Sequence, residues 1–165
     1  KYMGAPHSTG FALGTKEVID AISRHSFIGY ETRRIRGIGR PHKIDRQEIM
    51  GVVAAVRRWM TLNHEERLDY AEAQSEAIIK PLQGIPGVAA VLNTNIKAHQ
   101  PFGVFISVDP DVVGFTNDDL VDKLRDGDPS IWTRVQEGQM VLHVFGLGEG
   151  EAELVGDAIA AAVKG

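Results

Sequence analysis

The chain has 165 residues, enough for one domain with a substantial core or for a small domain joined to a piece of another. Apolar residues make up 43% and charged residues 24%, which argues against disorder, and a net charge of −4 argues against a nucleic-acid partner. The absence of cysteine excludes disulfides, zinc fingers and thiol nucleophiles, and no apolar run is long enough to span a bilayer.

No secretory signal is recognisable, so a cytoplasmic protein is expected. The first residue is Lys1 rather than Met, so a fragment or processed piece is expected too. Small residues crowd the start: Gly4, Ala5, Pro6, Ser8, Thr9 and Gly10 form a tight loop into an apolar run at 10–14, read as a strand. Thr15 can cap a helix whose buried face is Val18, Ile19 and Ile22. Residues 29–46 read as a broken, basic loop: Gly29, Gly37, Gly39 and Pro41 interrupt it, and Arg33, Arg34, Arg36, Arg40, Lys43 and Arg46 outnumber Glu31 and Asp45. Such a run is either a solvated loop or an anion site.

Asp45 with Glu48 three positions on begins the next helix, carrying Ile49, Val52, Val53, Val56 and Met60 at helical spacing. A further helix is predicted over 65–82. The pattern then changes. Residues 88–92 and 103–108 read as strands, and 116–124 as a short helix with a Thr cap and an acidic first turn. Residues 131–135 and 139–145 read as a hairpin turned at Glu137-Gly138, and 150–163 as a closing helix. From Val88 onward the order is β-β-α-β-β-α, an open α/β sandwich.

The six histidines are scattered without ligand spacing, so no metal site is expected. His143 alternates within a strand and reads as structural. The glycines at 146–150 lack the full dinucleotide pattern, and Glu149 and Glu151 would repel a phosphate. Two residues have more chemical interest. Lys1, ahead of a small-residue loop, could form a Schiff base. Arg134, at a strand end after Trp132, could hold a carboxylate through both arms of its fork. Each also has a plain surface reading.

The segment from Lys1 through Gly4-Ala5-Pro6-His7-Ser8 to Gly14-Thr15-Lys16 resembles the cofactor-lysine segment of fold-type-I pyridoxal-phosphate enzymes. The nearest likeness is to the family of L-seryl-tRNA selenium transferase and D-glucosaminate-6-phosphate ammonia-lyase. There a lysine precedes a Gly-Gly-Pro turn, a polar residue and an apolar strand; here Ala5 replaces the second Gly and His7 a common Gln. Arg40-Pro41-His42-Lys43-Ile44-Asp45 resembles that family's pair of basic residues facing an anionic ligand. Asp128 to Arg134 resembles its Pro-x-Ile-x-x-Arg segment.

The resemblance implies the C-terminal part of a fold-type-I fold. Residues 1–45 would end the large cofactor domain, 46–87 would connect, and 88–165 would form the small α/β domain. It implies pyridoxal 5'-phosphate as cofactor, with Lys1 catalytic and covalently linked to it and Gly4 allowing close backbone approach. Arg40, Lys43 and Arg134 become substrate- or anion-binding residues. The implied activity is a lyase acting on an amino acid or amino sugar acid, by α-proton abstraction and β-elimination. The implied partners are the enzyme's own N-terminal half and at least one further subunit. The alternatives are a selenium-transferase-like enzyme and a non-catalytic α/β binding domain.

Overall fold

A computed structural model describes residues 3–94 and 102–165. Lys1 lies outside the described residues. The chain divides into two compact units, Lys1–Leu62 and Asn63–Gly165. The helix expected to continue a connecting segment therefore belongs to the second unit, where its contacts lie.

In the first unit, α1 (Lys16–His25) and α2 (Phe27–Arg33) are followed by α3 (Arg46–Thr61). Three expectations are corrected here. Residues 10–14 form no strand; Phe11 and Leu13 are 50% and 86% exposed, and among the described residues no neighbouring ladder offers them backbone partners. The stretch from 29 is not all loop, because Gly29 sits inside α2 at a close crossing with α1: a Cβ there would stand 2.2 Å from the Arg24 carbonyl oxygen. The apolar face of α1 is largely uncovered, with Val18 and Ile22 about half exposed, and on α3 Ile49, Val53 and Met60 are exposed as well. Helical periodicity marks these faces correctly, but no described residue of the unit covers them fully. The α3 start is as expected: the Asp45 carboxylate accepts a hydrogen bond from the Glu48 amide at 2.8 Å.

The second unit holds the core. Helix α4 (His64–Ile79) passes into a 3-10 turn, Lys80–Leu82, where Pro81 cannot continue the α-helical ladder. Then come β1 (Val88–Leu92), β2 (Gly103–Val108), α5 (Pro110–Val113), α6 (Asn117–Arg125), β3 (Arg134–Gln136), β4 (Gln139–His143) and α7 (Glu151–Lys164). The expected β-β-α-β-β-α order is present, with the single-turn α5 added after β2. The hairpin strands are shorter than expected, since 131–133 lie outside the ladder. Glu137 and Gly138, with φ of 52° and 80°, make its tight turn.

The four strands form one antiparallel sheet in the order β1-β2-β4-β3. Val104, Ile106, Val108, Met140 and Leu142 point to one face and pack under α4, α6 and α7, around Ile78, Leu120, Val155 and Ile159. On the opposite face, Val91, Phe105, Val141 and Arg134 lie in one row across the strands. Helix α6 is held by a full capping box between Thr116 and Asp119. The chain is thus α/β, with seven α-helices and this sheet among the described residues. Among the described residues, no helix is long and apolar enough to cross a membrane.

Candidate functional site

The first unit gathers its basic residues by a specific backbone device. The segment at 37–39 runs against the α1–α2 junction, where the Gly39 amide donates to the His25 carbonyl at 2.8 Å. A Cβ on Gly37 or Gly39 would stand 2.5–2.6 Å from His25 backbone atoms, so only glycine permits this approach. The turn that follows is closed by the Arg40 amide on the Gly37 carbonyl and the His42 amide on the Gly39 carbonyl. It returns the basic loop over the rings of α2.

The Arg40 guanidinium lies 4.4 Å from the centre of the Tyr30 ring and 5.5 Å from that of Phe27. The Lys43 ammonium lies 4.7 Å from the same Phe27 ring, and Arg34 lies 5.8 Å from Tyr30. The structure therefore brings Arg40 and Lys43 together, through a shared aromatic floor. Among the described residues, none of these three cations forms an ion pair with a carboxylate. Cations stacked on ring faces keep their outward N–H groups for an anion. The start of α3 adds less than its dipole would suggest, because the Asp45 carboxylate already occupies it. Phe27 and Tyr30 were not singled out in the sequence; their spacing of three on a helix was the signal.

Gly4 has φ of +74°, a conformation that disfavours any side chain, and its backbone is exposed. Pro6 closes the turn: its carbonyl accepts from both the amide and the hydroxyl of Thr9, at 3.3 Å and 2.6 Å.

Arg134 belongs to the second unit. Val141 stands opposite it across the β3–β4 pair, and His143 lies two residues further along the same face. Arg134 Nη2 is 3.3 Å from His143 Nε2 and 3.5 Å from Gln136 Oε1. A guanidinium only donates, so His143 accepts at Nε2 and carries its proton on Nδ1. Burial, then the charge of Arg134, hold the His143 pKa below its ordinary value. Both side chains line a cavity of about 310 Å³ whose apolar wall includes Ile78, Ile131 and Leu147, with Trp132 at its exposed rim. Reading His143 as a purely structural strand residue missed this pairing.

The glycine loop at 146–150 makes no phosphate cradle. The Gly148 amide donates to the Glu151 carboxylate at 2.7 Å, so the loop's own acid occupies the place an anion would take. Among the described residues no group of His, Asp or Glu is arranged to hold a metal ion.

No protein-family model matches the chain. A curated relative, the 5'-C-glycyluridine monooxygenase-decarboxylase of a Streptomyces species, is 28% identical over 134 residues, covering 81% of this chain and 31% of the relative. Among solved structures, D-glucosaminate-6-phosphate ammonia-lyase superposes with a TM-score of 0.56 at 21% identity, over 84% of this chain and 37% of that one. The chain spans about a third of the length of each. It shares its fold with the ammonia-lyase, and both of these similar proteins are enzymes.

Proposed function

We propose that this chain is the C-terminal part of a pyridoxal-phosphate-dependent enzyme, with a lyase reaction on an amino acid or amino sugar acid as its activity. The observation that carries this reading is the convergence of Arg40 and Lys43 on the Phe27 ring, within a fold shared with an ammonia-lyase. The residues present fit the cofactor's class of ligand. The turn after Lys1 is rich in small residues with a left-handed Gly4, and the same unit holds three cations that have no carboxylate partner among the described residues.

Pyridoxal phosphate, held at Lys1, supplies an electron sink for charge developing at the substrate α-carbon. The chain's own residues do the rest. Released when the substrate amine takes its place on the cofactor, the Lys1 amine would take the proton from that carbon, and a group on the β-carbon would leave with its bonding electrons. Gly4 leaves room for backbone to approach. Arg40 and Lys43 hold a substrate phosphate or second carboxylate. In the second unit, Arg134 would hold a carboxylate in its fork, kept in orientation by His143. The uncovered faces of α1 and α3 support packing against the enzyme's N-terminal half and a second subunit.

A second reading has its own support. The 28% identity with the glycyluridine enzyme favours loss of a carboxylate from an amino acid joined to a nucleoside. Both readings use a substrate with an amine and a carboxylate. The test is the absorbance of the full-length protein purified with pyridoxal phosphate. A near-visible band, lost in Lys1→Ala, is expected; a band of equal intensity in that variant would overturn the assignment.

A further inference from the structure

The hairpin of the second unit is uneven. Strand β4 runs over Gln139–His143, but β3 pairs only with Gln139, Met140 and Val141, and the chain ahead of Arg134 leaves the sheet. Two contacts hold it away. The Ile131 amide donates to the Leu124 carbonyl at 2.8 Å, and the Ser130 hydroxyl to the Arg125 carbonyl at 2.6 Å, both at the end of α6. Residues 131–133 therefore stand across a gap from the end of β4 instead of pairing with it. That gap is the cavity of about 310 Å³. Ile78 of α4, Val155 of α7 and Leu147 line it from the core side. Its volume suits one small molecule.

Few polar side chains line this cavity, and two of them are already engaged. The Thr133 hydroxyl donates to the Val141 carbonyl at 2.7 Å, and His143 Nε2 accepts from Arg134. Arg134 differs. Both of its hydrogen bonds leave from Nη2, so Nε and Nη1 keep their N–H groups unengaged among the described residues, and no carboxylate pairs with it there. The cavity thus offers a planar fork of donors at its mouth and hydrocarbon within. We infer that it is a binding site for a small carboxylate with an apolar body, the carboxylate on Arg134 and the body against Ile131, Leu147 and Val155. The fork matches the plane of a carboxylate, and the wall favours apolar surface withdrawn from water. Hydroxyls turned toward that wall would lose water without gaining partners. Between an amino acid and an amino sugar acid, the site therefore favours an amino acid with an apolar side chain. The inference rests on the reading of Arg134 as a carboxylate holder and adds what stands beside the carboxylate; it uses neither Lys1 nor the cofactor.

The experiment titrates the full-length protein with acetate, propanoate, butanoate, hydrocinnamate and the amide of hydrocinnamate, following the methyl NMR signals of Ile131, Leu147 and Val155. Each methylene from acetate to butanoate is expected to tighten binding about fourfold. Hydrocinnamate should bind most tightly, and its amide about tenfold more weakly. Arg134→Gln should bring acid and amide together. Leu147→Ala should reduce the gain per methylene and leave acetate binding as it is; if that variant does not fold, the series in the parent decides. Equal affinities along the series, or methyl signals that stay in place while the acids bind, overturn the inference and leave Arg134 as a carboxylate holder. Acid and amide binding alike in the parent, or an acid affinity untouched by Arg134→Gln, sinks the reading of Arg134 itself and the inference with it.

Discussion

Arg134 Nη2 and His143 Nε2 lie 3.3 Å apart on the same face of the β3–β4 pair, at the mouth of an apolar cavity. A neutral imidazole is an unusual neighbour for a guanidinium that has no carboxylate partner among the described residues. It fixes one arm of the fork without neutralising the charge, leaving the cation available to a ligand. In a carboxylate-binding role, Arg134→Lys should raise KM more than it lowers kcat, because the fork geometry is lost while the charge remains. Steady-state kinetics of the two proteins checks this; an unchanged KM would make Arg134 an ordinary surface residue.

The same pair predicts a ligand-sensitive histidine. His143 titrates below the ordinary value of 6.5, chiefly from burial and then from Arg134. A carboxylate bound at Arg134 brings negative charge beside the imidazole and should move its pKa upward. NMR titration of the His143 ring protons, with and without a small amino acid ligand, measures the shift. A value that moves down, or does not move, places the carboxylate elsewhere.

Stability should follow the same sign. With the folded-state pKa below the unfolded one, the unfolded chain binds more protons as pH falls below about 6.5, so folding weakens on acidification through the folded-state pKa. His143→Gln removes this contribution. Denaturant unfolding of residues 63–165 at pH 7 and pH 5 should show a smaller loss for the variant than for the parent, and an equal loss would contradict the assignment.

Much of the second unit was legible in the sequence. The strands at Val88–Leu92 and Gly103–Val108 show β-branched residues between turn signals, and the Thr116 cap with Asp119 marks α6 by local chemistry alone. These elements complete themselves within the unit, where Ile106, Met140 and Ile159 are fully buried. Ile106→Ala should therefore cost about 2–5 kcal/mol, read by urea unfolding. The first unit was less legible. Residues 10–14 have strand composition but, among the described residues, no ladder to join, and Gly29 reads as a helix breaker where it serves a helix crossing. At the site, a basic run does not reveal its aromatic floor, because Phe27 and the Arg40–Lys43 loop are brought together by a tertiary contact, that of Gly37 and Gly39 with the α1–α2 junction. The pairing of His143 with Arg134 depends on the register of the hairpin.

The cation cluster should bind phosphate. Inorganic phosphate is expected to compete with substrate, and Arg40→Ala to weaken that competition by about 1–3 kcal/mol, the loss of one charge-assisted hydrogen bond. Phe27→Leu should weaken it by less, since it removes the floor that orients Arg40 and Lys43 but neither charge. Inhibition constants from the three proteins decide the order. Absence of phosphate inhibition in the parent would leave Arg40 and Lys43 as a stacking cluster that only ties the loop to α2.

Lys1 is proposed as the lysine that carries the cofactor. Borohydride reduction of the full-length protein with pyridoxal phosphate, followed by proteolysis and mass spectrometry of the peptides, tests it most directly. The account predicts the reduced cofactor on the peptide containing Lys1 and Gly4-Ala5-Pro6. A reduced cofactor found reproducibly on another lysine, or on none, would contradict it.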